Sequence, residues 1–363
     1  MSSLTAKPLP RPPLSAFTET SLKTISQNPN LFKITCLIHV DIFEAILIDH
    51  PNPLFCQSVF TGLWEGFWPW LDKPEDYPET HNNSRRPPKT EEDHIFLAHQ
   101  VLSEQKADRL SAPFRPDLLP GMYSPPVHTI PKPSSEKLCM VVDHSAGKYS
   151  LNSMINPKDI VGVKLDGIHS LRVSLRAFRA NDPHANLVIF KSDIGAAYRQ
   201  MPMHFLYQLL TVITVDNEHH VDRCNNFGNR GSQKIWQSFM SLVMWILVFK
   251  CGLKHLKCYT DDVFSFSTAG NLAFYAPYNR YMPHEQVTIL QLWDKIGLPH
   301  ENKKQISGPV IPCIRFEVDP NLMMVAMIHA KHELLLEACQ LFVTPGRQSL
   351  QDFQRLAATS IGP

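Results

Sequence analysis

The sequence predicts an α+β protein, a small antiparallel sheet with helices packed against it. Three observations predict it. Leu187–Ile194, Leu-Val-Ile-Phe-Lys-Ser-Asp-Ile, is an apolar run of strand length that carries Asp193 near its end. Val263, Phe264 and Phe266 alternate with Ser265 and Ser267, so this segment and Leu256 to Cys258 before it read as two strands around Tyr259-Thr260-Asp261-Asp262. Between and after them come helical patterns, one through Ile235, Phe239, Leu242, Val243 and Ile246, another through Ile289, Leu292, Trp293 and Ile296.

Taken in order, residues 1–30 are rich in Pro, Ser and Thr and read as a disordered tail. Residues 31–110 read as a helical N-terminal extension, broken by a polar, proline-marked loop over 72–90. Within it Trp64, Trp68 and Trp70 read as a core packing cluster rather than a base-stacking platform. Residues 113–133 are proline-punctuated and extended, and 137–143 form a strand with Leu138, Met140 and Val142 alternating. Helical spacing over 169–180 carries Arg172, Arg176 and Arg179, by default a solvated face, with a template-backbone contact as the other reading. Residues 207–215 and 219–223 form a hairpin across Asp216-Asn217. A Gly-containing loop, 227–232, starts the helix through Ile235, and Trp236 and Met240 make that helix apolar nearly all round. Gly297 and Pro299 end the helix through Trp293. Residues 316–319 and 323–327 form a second hairpin around Pro320-Asn321, and the last forty or so residues are helical.

Composition bounds the function. With 363 residues and 44% hydrophobic content the chain can hold about two domains. A net charge of +1 gives no global attraction to nucleic acid, so any basic groove is local, drawn from 35 Lys and Arg. The eight cysteines are scattered and read as reduced thiols. The N-terminus has no apolar signal region, and the apolar run near Phe239–Phe249 is too short to span a bilayer. These features predict an intracellular protein, in nucleus or cytoplasm, with no membrane partner. Asn82-Asn83-Ser84 is then a chance glycosylation match. His219, His220 and Cys224 lack zinc-ligand spacing and read as structural.

Adjacent carboxylates repel, and burying them uncompensated is unfavourable. A divalent cation removes that difficulty, and Mg²⁺ takes one or two carboxylates plus phosphate oxygens. An isolated Asp-Asp turn is otherwise a solvated turn. If the strand through Asp193 and the Asp-Asp hairpin lie side by side at the sheet centre, with two helices on one face, Asp193 comes next to Asp261. Three carboxylates at one end of a sheet can hold two metal ions, and two metals suit in-line phosphoryl transfer.

Lys191-Ser192-Asp193-Ile194-Gly195-Ala196-Ala197-Tyr198-Arg199-Gln200-Met201-Pro202 resembles motif A of the reverse transcriptases. Phe227-Gly228 through Ser232, with Trp236, Gln237 and Met240, resembles motif B; Tyr259-Thr260-Asp261-Asp262 resembles the signature motif C; Gly297-Leu298-Pro299 to Lys304 resembles motif D. Val141-Val142-Asp143 with Ser150-Leu151-Asn152 is similar to the family's fingers strand. The ordered set covers about residues 112–357 and is closest in wording to retrotransposon-derived enzymes of fungal type.

The resemblance implies a right-hand polymerase that extends a primer on an RNA template with dNTPs. It implies fingers over 111–190, a palm over 191–330, and over 331–363 the start of a thumb or connection that is C-terminally truncated. Asp193, Ile194, Asp261 and Asp262 would hold two Mg²⁺ or Mn²⁺ ions. Tyr198 would stack under the incoming sugar and leave no room for a 2′-hydroxyl. Gly228 would admit close backbone approach. Gln237 would face nucleotide or template, unless it is an ordinary helix-surface glutamine. Lys304 would protonate the leaving pyrophosphate, unless it is a solvated lysine. Lys132 would bind the triphosphate as a point charge. Two positions depart from the pattern. Cys139 stands where the family usually has a triphosphate-clamping arginine, so bidentate contact is lost. Arg315 stands where it usually has a glycine beside the primer. A catalytically impaired or domesticated nucleic-acid-binding relic is the alternative. An RNA-dependent RNA polymerase and a metal-dependent nuclease are weaker readings, set against by Tyr198 with Thr260 and by the Gly loop.

Overall fold

A computed structural model of the protein describes residues 2–84, 90–114, 116–131, 138–314, 316–343, 349–350, 352–354 and 356. In chain order the first elements are α1 (Glu19–Gln27), α2 (Val40–Ile46), α3 (Pro53–Glu65), β1 (His81–Asn82) and α4 (Glu91–Lys106). Then come β2 (Tyr123–Ser124), β3 (Val127–Pro131), β4 (Leu138–Val142), α5 (Ile168–Asn181) and β5 (Leu187–Ile194). The middle holds α6 (Phe205–Gln208), β6 (Val212–Val215), β7 (Glu218–Val221), α7 (Ser232–Trp245), β8 (Lys257–Tyr259) and β9 (Asp262–Thr268). The remainder is β10 (Leu272–Tyr275), β11 (Arg280–Pro283), α8 (His284–Ile296), β12 (His300–Gly308), β13 (Ile311–Cys313), β14 (Phe316–Asp319), β15 (Met324–Met327) and α9 (His329–Val343).

The chain divides into two compact units, each discontinuous in sequence. One holds the residues up to Leu165 with Ile194–Gly252 and Gln291–His300; the other holds Asp166–Asp193, Leu253–Leu290 and the residues from Glu301.

In the first unit α4 starts where Thr90 accepts a hydrogen bond from the Asp93 amide and three acidic residues fill the first turn. Its Leu97 and Val101 pack with Leu110, Val127, Val142, Ile213 and Val215, a core shared with β3, β4 and β6. α7 is buried on nearly all sides, as its sequence predicts, and Phe239 meets Phe43 of α2 at 5.3 Å between ring centres. β6 and β7 are closed by Asp216 and Asn217 at φ 54° and 59°, the mirror-image turn that matches strand twist.

Several expectations change in this unit. The N-terminal stretch expected to be disordered carries α1, capped by Thr18, and the Thr24 hydroxyl donates to Pro120 O at 2.7 Å. Distant hydrogen-bond partners and the burial of Leu9 and Ala16 order a segment whose composition alone gives no helix signal. The stretch expected to run as a strand from 207 opens instead with α6, and the strand begins at Val212. The tryptophans split: Trp68 is buried, Trp64 is exposed and donates to Glu44, and Trp70 carries the Lys234 ammonium 5.0 Å from its ring centre.

The second unit is built on a sheet of order β12-β5-β9-β8, with β5 and β9 at its centre. β5 runs antiparallel to β9, and β9 antiparallel to β8. Leu171 and Leu175 of α5 pack on Leu187, Ile189, Phe264 and Phe266 of the central strands. The amide of Gln286 on α8 donates to Ser192 Oγ at 3.1 Å. Ser192 alternates with Ile189 and Lys191 along the strand, so Gln286 of α8 meets the face of β5 opposite to the one that α5 covers. Arg172 and Arg176 are exposed on α5, whereas Arg179 turns inward and donates to the carbonyls of Ala185 and Pro320. The hairpin β14–β15 forms as expected, joined by β13 into a meander.

Candidate active site

Two places in the chain collect the residues singled out by the sequence. The first is one end of the four-stranded sheet. Asp193 pairs directly with Asp262 across β5 and β9, and Tyr259 pairs with Asp262 across β8 and β9. The expected neighbour of Asp193 was Asp261, but a two-residue turn, Thr260-Asp261, makes Asp262 the first residue of β9. Thr260 is held at φ 55°, in the left-handed region that β-branched residues rarely adopt. Three carboxylates therefore stand within one turn and one strand pair.

Lysines answer two of them. Lys304, on β12, donates to Asp193 Oδ1 at 2.8 Å. Lys191 alternates in phase with Asp193 and lies 3.2 Å from Asp262 Oδ1. Asp262 Oδ1 is nonetheless buried with no hydrogen bond. Burial raises the Asp262 carboxyl to about 6; Lys191 opposes that, and Asp261 and Asp193 add to it. Burial and Asp193 likewise push the Asp261 carboxyl up. Burial lowers the Lys304 ammonium, but its bond to Asp193 outweighs this and raises it. Gln305 Nε2 donates to the main-chain carbonyl of Asp193 at 3.1 Å and steadies the strand end.

This donor set fits a hard divalent cation in kind. It offers carboxylate oxygens, a buried oxygen without a hydrogen bond, and more negative charge than its lysines offset. Among the described residues no three His, Cys, Asp or Glu side chains converge as ligands, and Asp193 and Asp262 are paired with Lys304 and Lys191.

The second place lies in the first unit. Tyr198 is buried, its hydroxyl donates to Gln233, and its ring lies 4.7 Å from that of Phe227. At Gly228 an added Cβ would stand 2.5 Å from Val142 O and 3.0 Å from the His144 ring, so glycine is required by space rather than by φ. Gln237 is buried on α7 with its Oε1 unbonded, not on a helix surface. Ile194 is buried at the end of β5. Cys139 is half-buried and, with Phe96, Arg199 and Phe227, lines a cavity of about 790 Å³. His219 and His220 hydrogen-bond to Thr214 and Ser111, the structural role expected of them. Lys132 and Arg315 lie outside the described residues.

Two features escaped the sequence reading. Lys191 could have been found from its in-phase spacing with Asp193. The ion-pair network around Arg199 has no local sequence signal, since Glu104 and Asp222 are distant from it in the chain.

No protein-family model matches the chain, and no curated protein sequence does. Solved structures do. A foamy viral protease-reverse transcriptase in complex with an RNA/DNA hybrid is 13% identical with a TM-score of 0.51, over 88% of this chain and 39% of that one. Its dRH form in complex with double-stranded DNA is 14% identical with a TM-score of 0.53, over 92% and 55%. A third, with double-stranded DNA, is 14% identical with a TM-score of 0.50, over 88% and 61%. The chain has a reverse-transcriptase-like fold. It spans between 39% and 61% of the length of those viral proteins. Among the described residues no helix is long and apolar enough to cross a membrane.

Proposed function

We propose that the chain is the fingers and palm of an RNA-directed DNA polymerase of retroelement descent. One observation carries this reading: Asp193 and Asp262 are paired at one end of the two central strands, with Asp261 in the adjoining turn. The raised carboxyls of Asp261 and Asp262 support it, since burial first and neighbouring carboxylates second leave their charged forms poorly compensated. The fold likeness supports it too, and the nucleic-acid duplexes bound by the viral neighbours support a template–primer as partner.

In this reading Asp193, Asp261 and Asp262, with the main-chain carbonyl of Ile194, would hold two Mg²⁺ or Mn²⁺ ions. Bound there, the ions would make a primer 3′-hydroxyl more acidic and offset charge on the departing pyrophosphate. Lys191 and Lys304 are the internal counter-ions of the cluster. The Lys304 ammonium would be the proton donor to the leaving pyrophosphate. The Tyr198 ring lies under the deoxyribose and excludes a 2′-hydroxyl. Gly228 leaves room for the backbone beside the nascent pair, Gln237 bonds nucleotide or template, and Lys132 meets the triphosphate.

Primer extension on poly(rA)/oligo(dT) with Mg²⁺ or Mn²⁺ tests this. Wild-type chain extends the primer with dTTP, and Asp261→Asn abolishes extension. The second reading, nucleic-acid binding without catalysis, is favoured by neutral Cys139 and by carboxylates already paired with lysines. It wins if folded wild type and Cys139→Arg both stay silent while still binding the duplex.

A further inference from the structure

The sequence gives the N-terminal helices no role. The structure ties one of them to Tyr198. Arg199, the next residue, is buried, and all three of its guanidinium nitrogens donate hydrogen bonds. Nε and Nη2 donate to Glu104 Oε2 at 3.1 and 2.8 Å. Nη1 donates to both Asp222 oxygens at 2.9 and 3.0 Å, to Cys224 O and to Asn226 Oδ1 at 3.1 Å. Asn226 also donates to Asp222 at 2.9 Å. Its chain neighbour is Phe227, whose ring meets Tyr198. One guanidinium thus anchors both flanks of the Tyr198–Phe227 ring pair.

Asp222, Cys224 and Asn226 lie on the stretch of chain that leads into Phe227 and is itself bonded to Thr211 and Met201. Glu104 comes from a separate helix. It sits in the last turn of α4, and Arg109 grips both its oxygens at 2.8 Å, Nε donating to Oε2 and Nη2 to Oε1. Val101 and Leu97 fix α4 in the core of this unit. Glu104 is therefore a reference for Arg199 from outside the 222–227 stretch, and two charge-assisted bonds that converge on its Oε2 hold the guanidinium edge against α4.

We propose that Glu104 is a positioning residue, which sets the Tyr198–Phe227 ring pair through Arg199 and thereby the sugar selectivity of nucleotide incorporation. The selectivity half rests on the reading of Tyr198 given above; the positioning half does not.

The test separates the two. Full-length protein is labelled with 3-fluorotyrosine, and Tyr198→Phe identifies the Tyr198 signal among nine tyrosines. Glu104→Gln shifts or broadens that signal, and Glu104→Asp, which keeps the charge, largely restores it. Val101→Ala, on the same helix, destabilises the fold without touching the network and leaves the signal in place. In primer extension Glu104→Gln lowers the dTTP-over-UTP preference by on the order of tenfold, because misplacing a ring by about 1 Å loses much of a steric filter. An unmoved Tyr198 signal in folded Glu104→Gln overturns the proposal, whatever the activity. A moved signal with unchanged sugar preference overturns its selectivity half. A moved signal with no extension by any variant, wild type included, sinks the polymerase reading and leaves the positioning intact.

Discussion

Asp262 carries a carboxyl raised to about 6, and the cause is burial reinforced by two neighbouring carboxylates. Its folded value exceeds the unfolded one of 3.8, so the folded state prefers the neutral form. The group adds stability below about pH 4, and that is lost as pH rises through about 6. A shift of this size corresponds to about 3 kcal/mol. Asp262→Asn removes the titration. Thermal melts of both proteins between pH 4 and pH 8 should show the variant gaining on wild type as pH rises, and parallel curves would contradict this. Its neighbour Thr260 is strained in a different way. A β-branched residue at φ 55° costs about 1–2 kcal/mol. Glycine relieves that but returns entropy to the unfolded chain, so Thr260→Gly should stabilise by about 0.5–1 kcal/mol. Urea denaturation reads this directly, and a lower midpoint at unchanged slope would count against it.

At the scale of elements, α4 and the Gly228 loop are the informative ones. Burial alone would push the Glu104 carboxyl up, but hydrogen bonds from Arg109 and the charges of Arg199 and Arg109 bring it down to about 2. Here the folded value is depressed, so the stability is present above about pH 4.5 and lost as pH falls towards 2. Wild type should outlast Glu104→Gln by about 3 kcal/mol near neutrality, and the gap should close in acid melts. At Gly228 an alanine methyl meets main-chain Val142 O, which cannot step aside as a side chain can. Gly228→Ala should lose about 1–3 kcal/mol. Equilibrium unfolding checks it, and a neutral result would mean the loop moves freely. These elements also show what the sequence discloses. β5, α7, α8 and the Asp-Asp hairpin were legible because burial imposes a period on the residues of each. β12 was not, because His300–Gly308 is an edge strand of mostly polar residues with no apolar alternation. α1 and the Glu104–Arg199 pair were illegible for another reason. Their partners are distant in the chain, and no local pattern encodes them.

For the whole molecule the question is whether the carboxylate end binds a divalent cation at all, which is separable from whether it catalyses. Asp261, Asp262 and Asp193 were legible as a set from the sequence, and the register of β5 on β9 explains why two of them meet. What the sequence could not show is that Lys191 and Lys304 already occupy those carboxylates. A cation must therefore compete with two ammonium groups, and protons compete with it at Asp262. Binding to the folded state alone stabilises by about 1.4 kcal/mol at ten times the dissociation constant. For a chain this long that is a rise of about 2 °C in Tm. The rise from Mg²⁺ or Mn²⁺ should be larger at pH 8 than at pH 5, because the Asp262 carboxyl is ionised only above about 6. It should grow in Lys191→Ala, where one competitor is gone, and vanish in Asp261→Asn. Differential scanning calorimetry with Mg²⁺ against a matched concentration of a monovalent salt distinguishes site binding from charge screening. A Tm that moves equally with both salts, or equally in Asp261→Asn, would leave the three carboxylates as a strained turn held by lysines, and the chain as a polymerase fold without a metal centre.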